Sequence, residues 1–312
     1  HQELQKICTA NIKNEPGKCV YTHMLNSDGG IETDLTVVCV DKNHFRIISS
    51  AATRERDKFH INKHLSKNVE LKDITDDLCV FGLFGPKSRD LLKTLSEDNF
   101  ENDQFKFGFA KFITIDGVKI WTQRLSYVGE LGYELYVDLK DAKKIYELLI
   151  EKGKDFNLSN CGMHAMDIMR MESGFLHWGH DISPEENQYQ AGLAFTISNK
   201  KDVDFIGKQA LEKIKQDKVK TRFSMFTLKE SEPGKPLLLH DEPIYDGEKI
   251  IGRSTSGNYS FNFKKNLVFG YINNDFSNEE LQNKNLFIEV EKKKYPIEII
   301  NKPLKQTNFK NN

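Results

Sequence analysis

Apolar residues along the first fifty positions come in short bursts. CVYTHML, IETDLTVVCV and HFRIIS alternate or run apolar and are separated by SDGG and DKNH. Those separators are turn chemistry, so the pattern predicts a small antiparallel sheet. Ahead of it, HQELQKICTANI places Leu4, Ile7 and Cys8 on one helical face, and TRERDKFHINKHLSK has helical spacing with Phe59, Ile61 and Leu65 inward. DLCVFGLFG then reads as a strand and PKSRDLLKTL as a helix with proline in its first turn. The alternation continues through FAKFITI, VKIWTQRLSYV, YELYVDL and AKKIYELLIEKG. Strands and helices in mixed order predict an α+β fold.

Beyond residues 218–232 the helical periodicity stops. RFSMFTL, EPIYD, KIIGRSTSG, NLVFGYI, LFIEV and YPIEII are short strands separated by polar turns, as in a small antiparallel β-barrel or sandwich. The expected organisation is therefore an α+β domain over residues 1–218, a β-barrel over 219–305 and a frayed tail over 306–312.

Composition narrows the class of function. The 312 residues are 38% hydrophobic and 29% charged, with a formal net charge of −1, and acids and lysines intermix. No basic face is evident for a nucleic-acid backbone, and no apolar run approaches the roughly 18 residues of a membrane helix. Neither a nucleic-acid partner nor a membrane is expected. The five cysteines are scattered, never form C-x-x-C, and read as reduced thiols of a cytosol-like compartment. That compartment is a bacterial cytosol, or the mitochondrial matrix in a eukaryote.

Candidate chemistry sits in three places. In GGIETDLTVVCV, period-two alternation puts Asp34 on one face with Glu32 and Thr36, while Ile31, Leu35 and Val37 share the other. A carboxylate at that point must reach water, be hydrogen-bonded or meet a donor-rich ligand. RLSYVGELGYELYV reads as two strands about a glycine turn, with Tyr127 and Glu134 on opposite arms. Glu134 lies among Tyr133 and Tyr136, either on an exposed face or against a heterocycle that offers an amino group and a ring N–H. The third place, GMHAMDIMRMESGFLHWGHDISPEENQ, carries Met163, Met166, Met169 and Met171, either core filling or a ligand stripe, then His177, His180 and Asp181. H-x-x-H without further ligands is too weak a signature to predict a metal site, as are His60 and His64 one helical turn apart. Dinucleotide G-x-G-x-x-G, phosphate-loop and G-x-S-x-G motifs are absent.

Taken in order, VYTHMLNSDGGIETDLTV, FGLFGPKSRDLL, RLSYVGELGYELYV, GMHAMDIMRMESGFLHWGHDISPEENQYQAGLAFTI, DFIGKQAL and EPIYDGEKIIGRSTSGNYSFNFKKNLVFGYI resemble the folate-binding family of the glycine-cleavage T-protein, aminomethyltransferase, and especially the C-terminal half of flavin-dependent dimethylglycine and sarcosine dehydrogenases. The resemblance implies ferredoxin-like halves followed by a β-barrel, with tetrahydrofolate in a central cavity. It implies that Asp34 is the catalytic aspartate beside the folate nitrogens and that Glu134 accepts from the pterin amino group and ring N–H. Tyr21, Leu35, Thr36, Tyr127, Leu135, Tyr136 and Phe195 are implied to bind the same cofactor. The implied reaction captures a one-carbon iminium, or formaldehyde from an N-methylated glycine, as 5,10-methylenetetrahydrofolate.

Two departures favour the demethylating branch over the lipoyl-dependent T-protein. Met166 stands before Asp167 where the T-protein has an arginine, and HWGHD follows the dehydrogenase pattern. The chain opens on His1 in what reads as the middle of a domain. The expectation is therefore a fragment of a fused enzyme whose FAD-dependent oxidoreductase domain lies upstream and is absent from this chain. The alternatives are a free-standing aminomethyltransferase or related folate-dependent demethylase, and a non-catalytic folate-fold protein of iron–sulfur and tRNA maintenance, whose K-G-C-Y-x-G-Q-E motif this chain lacks.

Overall fold

The computed structural model describes residues 1–306. The frayed tail expected for residues 306–312 lies, apart from Gln306, outside the described residues. After α1 (Gln2–Ile7), the strands β1 (Cys19–Leu25), β2 (Ile31–Asp41) and β3 (His44–Ser49) form the antiparallel sheet that the turn signals predicted, in the order β1-β2-β3. In the first turn, Asn26 Oδ1 accepts the backbone N–H groups of Asp28 and Gly30. Gly29 adopts φ +86°, a left-handed conformation that favours glycine. At Gly30 the constraint is space, because a Cβ there would lie 1.8 Å from the Pro184 carbonyl oxygen. The double glycine lets the 184–186 segment close over the start of β2, where Ile31 N–H donates to Glu186 O.

One face of this sheet is covered by α1 and α2 (Arg54–His64), which bury Leu4, Ile7, Met24, Leu35, Val37 and Ile61 together. Phe59, expected to face inward, is instead 72% exposed. Two residues along a helix differ by about 200°, so Phe59 and Ile61 cannot share a face. The inner face of α2 is set by Asp57, His60 and Ile61.

The second sheet runs β4-β7-β6-β5, built from β4 (Leu78–Phe84), β5 (Ala110–Ile115), β6 (Val118–Gln123) and β7 (Gly132–Asp138). Its outer face packs on α3 (Ser88–Leu95) and α4 (Leu139–Gly153) through Leu91, Leu92, Tyr133, Leu135, Val137 and Ile145. The helix α3 starts two residues after Pro86 rather than at it. The RLSYV arm is not a strand either, since β6 ends at Gln123. The Arg124 backbone still pairs beyond that end, donating to Phe109 O at 2.8 Å and accepting from the Gly108 N–H at 3.0 Å, while its buried side chain donates to Phe105 O at 2.6 Å. The inner faces of the two sheets meet where Cys19 and Val38 pack on Trp121 and Tyr136.

Next come α5 (Met163–Glu172) and α6 (Lys208–Asp217), then the strands β8 (Thr221–Leu228), β9 (Pro243–Asp246), β10 (Lys249–Ser260), β11 (Lys265–Asn273), β12 (Leu286–Val290) and β13 (Lys293–Ile300). These six strands close into a barrel, β10-β11-β8-β13-β12-β9, around Phe226, Ile244, Val268, Ile288 and Ile297. A short helix, α7 (Asn278–Gln282), is held by a Ser277–Glu280 capping box. Of the α5 methionines, Met171 is core and Met169 packs beside it, while Met163 is 70% exposed. The fold is α+β with a C-terminal barrel, as the sequence predicts. Among the described residues no helix is long and apolar enough to cross a membrane.

A buried ion pair helps to anchor the barrel to α5. Arg170 on α5 donates to the Asp181 carboxylate and, at 2.8 Å, to Ser256 on β10. Asp181 also accepts from Thr255 at 2.6 Å, from Ser256 at 2.8 Å and from the His177 backbone N–H at 3.0 Å. Asp167 also pairs with Arg170 at 2.9 Å, but Asp181 is the fully enclosed partner and the acceptor for the barrel hydroxyls, so its loss leaves Arg170 and those hydroxyls undersatisfied in the interior. Asp181→Ala is expected to cost about 3 kcal/mol or more in urea unfolding. The Arg170→Met/Asp181→Leu double variant is expected to lose less than Asp181→Ala, because the charge then left without Arg170 is that of Asp167, whose side chain is a third exposed to water.

Candidate functional site

The register of β1 against β2 decides what the inner face presents. Cys19 lies opposite Val38, Tyr21 opposite Thr36 and His23 opposite Asp34. Directly opposed residues in an antiparallel pair project from the same face. Tyr21, His23, Asp34 and Thr36 thus form one polar row facing the second sheet. There the β6–β7 ladder answers with Gln123 opposite Glu134 and Trp121 opposite Tyr136. Beside the apolar seam lies a cavity of about 540 Å³ lined by Lys18, Cys19, Tyr21, Thr36, Asn102, Lys106, Phe107, Gly108 and Leu125.

Asp34 is mostly withdrawn from solvent, its side chain 17% exposed, and its Oδ1 makes no hydrogen bond among the described residues. His23 Nε2 lies 3.6 Å from this oxygen and 3.3 Å from the Tyr21 hydroxyl. Burial pushes the Asp34 carboxyl up to about 7; the Tyr21 hydroxyl offsets part of this, and the charge of Asp57 on α2 adds to it. The folded state holds the Asp34 proton more tightly than the unfolded chain, so this group's contribution to stability is fully present below about 3.8 and is lost as pH rises through about 7.

His23 is fully buried, which pulls its pKa down to about 3 and keeps the ring neutral at ordinary pH. Its Nδ1 is fixed from behind by Thr196 Oγ1 and Gln188 Nε2, each at 3.1 Å, and Gln188 Nε2 also reaches Thr9 Oγ1 at 3.0 Å and Thr196 Oγ1 at 2.7 Å. Sequence reading missed this histidine. The signal was present: His23 is two residues from Tyr21 on a strand, and a hairpin register pairs it with Asp34.

Glu134 accepts the Tyr136 hydroxyl at 2.8 Å on Oε2. Burial raises its pKa, and the Tyr136 bond offsets part of the rise. No ion pair reaches it among the described residues. The neighbouring Cys19 thiol is pushed up to about 12, first by burial and then by the Glu134 charge, so it stays protonated and is no nucleophile.

The remaining expected residues divide. Tyr21 and Thr36 line the cavity, and Tyr136 supports Glu134. Phe195 stands at the rim, 76% exposed with its ring centroid 6.5 Å from that of Tyr21. Tyr127 does not stand opposite Glu134 on a strand arm. It donates to Leu176 O at 2.8 Å, stacks on Phe175 and lies within electrostatic reach of Asp34. Leu35 and Leu135, implied by the resemblance to bind the cofactor, turn their side chains the other way. Leu35 is in the core beneath α1 and α2 and Leu135 in the core beneath α3 and α4, because each alternates with the carboxylate beside it. His177 and His180 pack ring to ring at 4.6 Å, and among the described residues no group of three or more His, Cys, Asp or Glu could hold a metal ion.

These features can be set beside known proteins. The chain matches the family model described as the GCVT N-terminal domain over residues 1–201 and that described as the glycine cleavage T-protein C-terminal barrel domain over residues 222–305. It is 33% identical over 298 residues to the mitochondrial dimethylglycine dehydrogenase of Homo sapiens, covering 95% of this chain and 34% of that protein. The chain therefore spans about a third of the length of that relative. It is also 33% identical over 275 residues to the aminomethyltransferase of Halothermothrix orenii, covering 88% of this chain and 75% of that one. The crystal structure of glycine cleavage system aminomethyltransferase T from Bartonella henselae shares the fold, with a TM-score of 0.83 at 20% identity over 98% of this chain and 81% of that chain. With both domain models matched in order, and a barrel closed where the second of them falls, this chain belongs to the glycine cleavage T-protein family of folate-dependent enzymes.

Proposed function

We propose that this chain binds tetrahydrofolate between its two sheets and serves as the one-carbon acceptor module of a demethylating, FAD-dependent dehydrogenase acting on an N-methylated glycine. The observation that supports this reading best is the pair of shielded carboxylates, Asp34 and Glu134, on facing sheets beside a cavity of about 540 Å³, neither with a cationic partner among the described residues. That volume is ordinary for a small-molecule site. A carboxylate with spare lone pairs fits a ligand that brings N–H donors.

Glu134 would hold the amino group and ring N–H of the pterin with its two oxygens, and Tyr136 fixes that carboxylate in place. Tyr21 and Thr36 would wall the cavity, with Phe195 at the rim. When bound, tetrahydrofolate supplies the nitrogens that accept the one-carbon unit, giving 5,10-methylenetetrahydrofolate. Asp34, ionised in part near neutral pH, stabilises positive charge on an incoming iminium and can hold the proton released from the attacking amine. His23 stays neutral and buried, so it does not compete for that proton. An upstream flavin domain would generate the iminium or formaldehyde. In this reading residues 1–218 carry the folate site and 219–305 form the barrel domain.

A second reading, a free-standing aminomethyltransferase, draws support from the 75% coverage of the Halothermothrix orenii enzyme. The two diverge in one assay. Release of ammonia and methylenetetrahydrofolate from an aminomethyl-loaded lipoyl carrier protein by this chain favours the second reading; inertness toward that carrier favours the first.

Calorimetric titration is expected to show tetrahydrofolate binding to the wild type and binding about tenfold or more weaker to Glu134→Gln, which cannot accept both donors. No heat of binding with the wild type defeats the assignment. One-carbon transfer is expected to rise with pH through a midpoint near 7 as Asp34 ionises. Asp34→Asn is expected to abolish that limb and most of the activity while keeping folate affinity within about threefold, since the loss falls on the reaction step. A pH profile unchanged in the variant assigns the limb to another group.

A further inference from the structure

Gln123, the last residue of β6, is fully buried, and its Nε2 has no hydrogen-bond partner among the described residues. Its Oε1 lies 3.9 Å from the Cys19 thiol, and Cys19 and Leu125 both line the cavity. An orphaned amide donor in an interior costs about 1–3 kcal/mol, which an apolar side chain of the same size would avoid. The β6–β7 register places Gln123 directly opposite Glu134, so the two side chains leave the sheet on the same face as close neighbours. Together they make a short array: one unsatisfied N–H donor next to a carboxylate with lone pairs to spare.

That array has a chemical complement. The edge of a 2-amino-4-oxopteridine presents a carbonyl acceptor at position 4, an N–H donor at position 3 and an amino donor at position 2, in sequence around the ring. With Glu134 taking the two donors, the adjacent carbonyl oxygen needs a donor of its own. Resting on the folate reading above, we infer that Gln123 is a specificity-determining residue whose Nε2 donates to the 4-oxo group, so that the site selects 4-oxopteridines over 4-aminopteridines. A 4-amino group would set donor against donor at Gln123, and the accompanying loss of the N3 proton would leave Glu134 with one donor in place of two.

The test titrates wild type and Gln123→Met with tetrahydrofolate and with its 4-amino-4-deoxy analogue. Wild type is expected to prefer tetrahydrofolate. Gln123→Met is expected to bind tetrahydrofolate about tenfold more weakly, the scale of one lost hydrogen bond that leaves a carbonyl unpaired. Its affinity for the 4-amino analogue is expected to stay the same or improve. Because the variant removes an unpaired donor, its thermal midpoint is expected to be no lower than that of the wild type. Equal losses on both ligands, or no loss on either, overturn the inference. Should Gln123→Met fail to fold, a wild type that binds both ligands equally well overturns it also. A wild type that binds neither removes the folate reading itself.

Discussion

Two carboxylates shielded between two sheets without a cation set the terms for the rest of this structure. Asp34 and Glu134 each carry a raised pKa because burial disfavours their charge, and among the described residues neither recovers that cost through a cationic partner. Such groups persist only where the surrounding chain over-determines their position. Here the backbone supplies the constraint: strand register fixes which face each acid occupies, and two apolar cores, one beneath each sheet, forbid a one-residue slip.

Polar neighbours then tune the two acids differently. Asp34 has a neutral imidazole and a tyrosine hydroxyl beside it and a second acid, Asp57, behind it. That combination places its ionisation near neutrality, where a group can both carry charge and exchange a proton. Glu134 has Tyr136 on one oxygen and an amide across the ladder, an arrangement for holding a flat, donor-rich ring edge. In the proposed reading one side of the gap serves the chemistry and the other the recognition. The Arg170–Asp181 pair, fully enclosed, serves a third purpose and ties the barrel to α5.

Much of this was legible in the sequence. Alternation predicted every strand of the first sheet and of the barrel, and it put Asp34 and Leu35 on opposite faces. Errors came where a second rule was needed. Phe59 and Ile61 cannot both face inward at a spacing of two in a helix, and Phe59 is exposed. The resemblance implies that Leu35 and Leu135 bind the cofactor, and alternation sends the side chain of each into the core, away from its neighbouring acid. The RLSYV arm carries its backbone pairing through Arg124, whose partners Gly108 and Phe109 precede β5, and the pattern of the arm alone does not contain those partners. His23 and Gln123 went unread because their meaning lies in cross-strand pairing, which a single strand's pattern does not contain.

The central claim is that a reduced folate lies between the two sheets with its pterin edge on Glu134 and its one-carbon-accepting nitrogens toward Asp34. A crystal structure of this chain with bound tetrahydrofolate tests it most directly. Pterin density is expected within hydrogen-bonding distance of both Glu134 oxygens, with the N5–N10 side directed at Asp34. Folate bound elsewhere, or bound in the gap with the pterin against Asp34 and the tail toward Glu134, would contradict it.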